Sequence, residues 1–269
     1  MRSSIIITTC NRPELLKNRS FPSANNQNYP KDDFEVIVID DTETRNGLAW
    51  ARNEGVRKSK GKYIAFLDDD DALEPIFLKY TIPILENQLD KNVVIGKRSV
   101  VYPDGFIKSY NLPIIGPETL YTTLDDGYLI RREVFDEIKY DEELLTNEDA
   151  DFGIQFMRKY GYKSIATLNH ILLIKYGHEA IQEKQTSYSY PSEKVLLSMG
   201  RYFEKNLKYY LFFFTAFKIL SSIVSILFSK MNILLKLYII PATAPNKTYN
   251  ITIVLLNAIF PPFFAEILF

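Results

Sequence analysis

Residues 61–71, Gly61-Lys62-Tyr63-Ile64-Ala65-Phe66-Leu67-Asp68-Asp69-Asp70-Asp71, decide the fold. Tyr63 to Leu67 is an unbroken apolar run, the pattern of a parallel strand covered on both faces. It runs straight into four carboxylates. In an open α/β sheet the carboxyl ends of the strands face the crevice where ligands bind, so this junction is a candidate site. Moving toward the N-terminus, Ser4–Thr8 and Phe34–Ile39 repeat the same buried-strand pattern. A helix is expected between the first two strands, opening at Asn11 with Pro13 in its first turn. Leu48–Lys58 (LAWARNEGVRK) reads as a helix before the third strand, closed by a turn around Gly61. Alternating strands and helices imply right-handed crossovers.

Toward the C-terminus, residues Val93–Lys108 read as a hairpin turning at Pro103-Asp104-Gly105. Tyr128–Ile130 reads as a further strand. A helix is expected near Arg132–Glu137 and another over Asn147–Tyr160, stopped by Gly161. The chain has 269 residues, with 32 Lys+Arg against 33 Asp+Glu. Its 46% hydrophobic content excludes a disordered or fibrous protein. The balanced charge argues against a nucleic-acid binder, which carries a net basic face. The single cysteine, Cys10, cannot close an internal disulfide, and the first ten residues lack a signal-peptide pattern. A reducing, cytosolic setting is therefore expected for the N-terminal part.

Three acidic clusters carry the chemistry. In Asp68–Asp71 each carboxylate raises the proton affinity of the next, and a bound Mg²⁺ or Mn²⁺ would relieve the repulsion. The competing reading is a solvated acidic loop. Val38-Ile39-Asp40-Asp41 places acids at a neighbouring strand end, where a carboxylate can accept from the N–H groups of a nucleotide base or merely cap the following turn. Asn147-Glu148-Asp149-Ala150-Asp151 opens a helix, where acids are favoured by capping and dipole alone. Facing a metal–phosphate crevice, a carboxylate there can also serve as general base.

In their order, these segments resemble the family 2 inverting glycosyltransferases. IIITTCNRPELL, FEVIVIDD, GLAWARNEGVRKSKGKYIAFLDDDDALEP, YLIRREVFDEI and NEDADF follow one another as that family's motifs do, over residues 4 to about 180. The resemblance implies a GT-A fold: an α/β domain over 1–200 with an open mixed sheet flanked by helices. Its nucleotide-sugar half would be about 1–95 and its acceptor half 96–200. It further implies Thr8, Asp41, Arg52, Asn53, Asp68 and Asp69 as nucleotide-sugar contacts. Asp70, with Asp68 and His178, would be metal ligands for Mn²⁺ or Mg²⁺, and Asp149 the catalytic base. For His178 a surface or packed role is an equal competitor. The activity implied is transfer of one sugar from a nucleotide-sugar, with UDP favoured, to a glycan or lipid-linked hydroxyl. Cys10 stands where the family often has an aromatic residue, and Thr42-Glu43 where it often has Gly-Ser, which bears on donor details. Gln155 to Arg158 lacks the Trp of a processive motif, so single transfer is expected. A metal-dependent phosphohydrolase using Asp68 or Asp70, or a non-catalytic membrane-bound module, is the alternative.

Composition shifts near residue 200. Tyr209–Ile240 is dominated by Leu, Ile, Phe, Val and Tyr, with polar residues on one narrow helical stripe including Lys208, Thr215, Lys218 and Lys236. Residues 201–247 hold seven Lys+Arg and one acid, Glu204. A hydrophobic helical tail over 201–269 is expected. It would meet a membrane surface through 207–269, its lysines snorkelling to headgroups on the cytoplasmic face. A spanning helix would carry Lys218 at mid-membrane at roughly 2.5–3.5 kcal/mol.

Overall fold

The computed structural model describes residues 1–111, 124–177, 194–195 and 197–208. Strand β1 (Ser3–Thr9) is buried along its whole length and is followed by a helical segment in three pieces: α1 (Pro13–Leu15), a π-turn (Leu16–Ser20) and α2 (Phe21–Asn25). Then come β2 (Phe34–Asp40), α3 (Leu48–Lys58), β3 (Tyr63–Asp68), the two-residue β4 (Ala72–Leu73) and α4 (Phe77–Asn87). The second half supplies β5 (Val93–Val101), β6 (Ile107–Tyr110), β7 (Tyr128–Arg131), α5 (Val134–Glu137), α6 (Glu148–Tyr160) and β8 (Ile165–Tyr176).

The strands form one mixed sheet in the order β2-β1-β3-β7-β5-β8-β4, with β6 paired to β5. The three N-terminal strands are parallel, as their apolar runs require, while β7 joins β3 antiparallel. Alternation along β1 explains why those runs are uninterrupted. Ile6 enters a cluster with Phe66, Tyr128, Phe135 and Phe152, whereas Ile5 and Ile7 enter one with Leu67, Phe77, Leu129 and Leu172. Each sheet face thus has its own core.

Glycine is needed at two positions that shape the sheet's ends. A Cβ on Gly61 would lie 2.4 Å from backbone atoms of Ser3 and Ser4, so the turn before β3 presses directly against β1. Gly127 has φ +68°, and a Cβ there would fall 2.8 Å from the Leu173 side chain. It turns the chain sharply into β7.

Two elements are ones the sequence reading does not include. Helix α4 forms despite Pro83 within it. Burial of Phe77, Leu78, Ile82 and Leu85 outweighs the ~3 kcal/mol that an interior proline costs. Strand β8 has Asn169 and His170 in its middle, where its pairing with β5 shifts register, so its sequence alternates like no single strand. The tail expected over 201–269 falls outside the described residues beyond Lys208. Among the described residues no helix is long and apolar enough to cross a membrane.

Candidate active site

Parallel register carries the site. Thr8 pairs with Ile39 on one side and with Asp68 on the other, so the ends of β1, β2 and β3 coincide. A cleft of about 630 Å³ opens there, lined among others by Thr8, Asp41, Arg52, Asp68, Asp70, Asp71, Asp125, Glu148, Asp149 and Lys175. Six of the residues singled out in the sequence therefore meet in one cavity: Thr8, Asp41, Arg52, Asp68, Asp70 and Asp149.

Asp41 spends most of its acceptor capacity on its own loop. Its Oδ1 accepts from the Thr44 hydroxyl (2.6 Å) and the Asn46 N–H (2.9 Å), and its Oδ2 from the Gly47 N–H (2.7 Å). A carboxylate offers about four lone-pair positions, so one remains for a ligand. The capping role weighed from sequence is thus real, and it fixes the loop leading into α3 at the cleft's edge.

The acidic run splits by access to the cleft. Asp68, Asp70 and Asp71 each offer an oxygen, all within 4.8 Å of one another. This all-oxygen, anionic donor set suits a hard divalent cation such as Mg²⁺ or Mn²⁺. Asp71 joins the pair expected from sequence because the two-residue β4 follows it and pairs with β8. Asp69 lies behind the lining: it is fully buried, accepts from the Thr9 hydroxyl at 2.6 Å and from Arg12 Nε at 3.1 Å, and does not itself line the cleft. Burial pushes its carboxyl up to about 6. Its place is structural rather than at the nucleotide-sugar, correcting the expectation. Arg12 also reaches Asp70 Oδ2 at 2.8 Å, and Arg19 donates to the Asp70 carbonyl at 2.8 Å while its guanidinium lies over the Tyr176 ring.

Asn53 needs the same correction. It is buried, its amide donates to the Tyr140 carbonyl (2.9 Å) and to Glu142 (2.8 Å), and its own Oδ1 accepts the Tyr140 N–H. That amide staples α3 to residues 140–142 and is turned away from the cleft. His178 lies outside the described residues.

Arg52 links the two halves of the site. Its guanidinium is 1% exposed, 3.2 Å from Glu148 and 3.4 Å from Asp68, over the Tyr140 ring. Glu148, at the start of α6, is pushed up to about 7 by burial, against the lowering pull of Arg52. Its neighbour Asp149 is raised by burial too and is oriented by the Ala150 N–H, which donates to Oδ1 at 2.8 Å.

Opposite them, Lys175 at the end of β8 sits among Asp71 (3.0 Å), Asp126 (3.0 Å) and Asp125 (3.4 Å). Burial holds the Asp126 carboxyl well above its usual range. Arg12, Asp125 and Lys175 were not singled out from the sequence, and Glu148 only as a member of the third acidic cluster. For Asp125 the local signal was Asp125-Asp126-Gly127 ahead of a strand, an acidic pair before a turn glycine; Arg12 and Lys175 become site residues only through long-range pairing.

Residues 42–165 match the model of Glycosyl transferase family 2, a span that holds the Asp68–Asp71 run and the Glu148-Asp149 pair. Over that span the chain is similar to this family. An uncharacterized glycosyltransferase of Methanocaldococcus jannaschii is 24% identical, over 78% of this chain and 84% of its own. TarP of Staphylococcus aureus, named a poly(ribitol-phosphate) beta-N-acetylglucosaminyltransferase, is 26% identical over 61% of this chain and 60% of its own. Among solved structures, residues 1–349 of S. aureus TarS in complex with UDP-GlcNAc superpose with a TM-score of 0.58 at 21% identity, covering 75% of this chain and 65% of that one. That likeness is one of fold: the mixed open sheet flanked by helices is shared. The glycosyltransferase names of these relatives support the transferase reading over the phosphohydrolase one.

Proposed function

We propose that this glycosyltransferase moves one sugar from a nucleotide-sugar, a UDP-sugar foremost, to a hydroxyl of a glycan or lipid-linked acceptor, with inversion at the anomeric carbon. The convergence of Asp41, Asp68, Asp70 and Asp149 on a single cleft carries this reading. Thr8, Asp41 and Arg52 line the side where the nucleotide would lie. Asp68 and Asp70, with Asp71, would hold Mg²⁺ or Mn²⁺, whose chemistry when bound is Lewis-acid stabilisation of charge on the departing nucleoside diphosphate.

Asp149 would take the acceptor's proton. A carboxylate whose proton affinity is raised by burial is a stronger base once ionised, and the Ala150 N–H fixes its aim. The acceptor oxygen forms its bond to the anomeric carbon as the bond from that carbon to the diphosphate oxygen breaks. One displacement from the opposite face gives inversion. Arg52 holds the base-bearing helix start to the strand end that bears Asp68, so proton acceptor and donor pocket keep a fixed separation.

A panel of nucleotide-sugars tested for Mn²⁺-dependent thermal stabilisation decides the matter. Stabilisation by one sugar nucleotide, followed by its turnover with an acceptor, is the expected result. Absence of stabilisation by every member of the panel would remove the proposed donor class.

A further inference from the structure

Residues 197–208 form a helix with two unlike faces. Its inner face is tied to the loop that leads into the base-bearing helix α6. The Ser198 hydroxyl oxygen accepts from the Leu145 and Thr146 N–H groups at 2.8 and 3.3 Å, and both of those residues line the cleft. Tyr202 packs with Leu144 and Ile154. Lys205 and Asn206 donate to the buried Asp151 at 2.8 and 3.0 Å, and Arg201 pairs with Glu143. Together these contacts fix which side of the helix meets the catalytic domain.

The outer side carries an open apolar stripe, flanked by the exposed Glu204 and Lys208. Met199, Phe203 and Leu207, spaced four residues apart, are 38%, 51% and 50% exposed, and Leu197 at the helix start is 67% exposed. Side chains four apart stack on one side of a helix, so the three make a stripe. Burying a large apolar side chain is favourable, and a continuous stripe left open marks a contact surface. The residues immediately C-terminal to the helix point to its occupant. The apolar composition continues through Tyr209–Ile240, and residues 201–247 carry seven Lys+Arg against Glu204 alone. An apolar stripe leading into an apolar, cationic segment fits the boundary between anionic headgroups and acyl chains.

We propose that Met199, Phe203 and Leu207 are a lipid-contact stripe, and that helix 197–208 lies on a bilayer surface while its inner face grips the base-bearing loop. The catalytic cleft would then ride at a set height above the lipid. This is independent of which donor the cleft takes.

The test is fluorescence from a tryptophan at the centre of the stripe. The chain has one tryptophan, Trp50, in α3, so Phe203→Trp adds a single reporter against a constant background. The full-length variant is mixed with vesicles of phosphatidylcholine and phosphatidylglycerol, with or without bromine on the acyl chains, and Leu89→Trp on the catalytic domain serves as the control. The expected result is a blue shift of the added emission on vesicle binding and loss of most of it to brominated lipid, with the control unaffected. Vesicle binding without quenching at position 203 would overturn the proposal, as would failure of the chain to float with the vesicles. A blue shift already present without lipid would assign the stripe to a second copy or to residues 209–269 instead, and would equally overturn it.

Discussion

Replacing Arg52 by methionine removes the guanidinium between Asp68 and Glu148 while keeping most of the side chain's bulk. At 3.2 Å and an effective dielectric of about 20, the Arg52–Glu148 attraction is about 5 kcal/mol, offset by a desolvation cost of several kcal/mol for each ion. The side chains are 1% and 9% exposed, so water cannot take the arginine's place. Losing one partner of such a pair costs about 3–5 kcal/mol, a large part of the 5–15 kcal/mol typical of a whole domain. The cost must depend on pH. Glu148 is raised in the folded state from 4.5 to about 7, so the folded chain binds its proton more tightly than the unfolded one. Its contribution is therefore fully present below about 4.5 and is lost as pH rises through 7. Without Arg52 that window moves upward, and Arg52→Met is expected to be more destabilised at about pH 8 than at about pH 5. Urea unfolding at both pH values, compared through midpoint and slope, measures this. Adding Glu148→Gln removes the stranded charge and should recover part of the loss. A cost below about 1 kcal/mol at about pH 8, or no recovery in the double variant, refutes the buried-pair reasoning.

Asp149→Asn should bind donor normally by calorimetry yet transfer sugar roughly 10²–10⁴-fold more slowly; undiminished turnover would take the base role away from Asp149. Because burial raises the Asp149 carboxyl and the base must be ionised, activity of the unsubstituted enzyme should fall with falling pH at values above the ordinary carboxylate range. Asp70→Ala should abolish Mn²⁺-dependent thermal stabilisation by donor, measured against the variant's own metal-free melting temperature because Arg12 loses a partner, and retained metal dependence would exclude Asp70 as a ligand. Gly61→Ala should cost about 1–3 kcal/mol or more in urea unfolding, because its Cβ would meet backbone rather than a movable side chain; a neutral effect would show that the turn is free to shift.

Much of the fold was legible because it rests on short-range signals. The runs at Ser3–Thr9, Phe34–Asp40 and Tyr63–Asp68 are apolar without alternation, a pattern that only strands covered on both faces require. The turn at Pro103-Asp104-Gly105 and the stop at Gly161 are equally local. Helix α4 was hidden by Pro83 and β8 by Asn169-His170, because tertiary packing overrides local preference at both. Within the site, the acids could be located from strand ends, but not their orientation. Asp69 and Asp70 are adjacent and share Arg12, yet Asp69 is buried behind the lining while Asp70 meets the cleft, and only the fold decides between them. The cations were harder still. Arg12 and Lys175 are ordinary surface-type residues in sequence, yet they pair with Asp70 and Asp71 across 58 and about 100 positions.

The chain's linear order also separates two things that the fold joins. Asp149 and Asp151 are two residues apart in α6, one lining the cleft and the other fully buried beneath it. Asp151 accepts from Gln155, Lys205 and Asn206, while Ser198 accepts from Leu145 and Thr146 just upstream. The segment 145–151 is thus gripped from below by one helix on both sides of the base. The Leu145 and Thr146 amides in this part-buried loop are satisfied by Ser198, and Asn147 sits in the left-handed region with φ 60°. A loop in such a conformation keeps it only where its surroundings over-determine it. Glu148 to Arg52 supplies one constraint from the donor side, and helix 197–208 supplies the rest. On the proposed role of Asp149, its aim depends on residues up to Asn206, past the last described strand of the sheet, and helix 197–208 belongs to the same compact unit, Met1–Leu211.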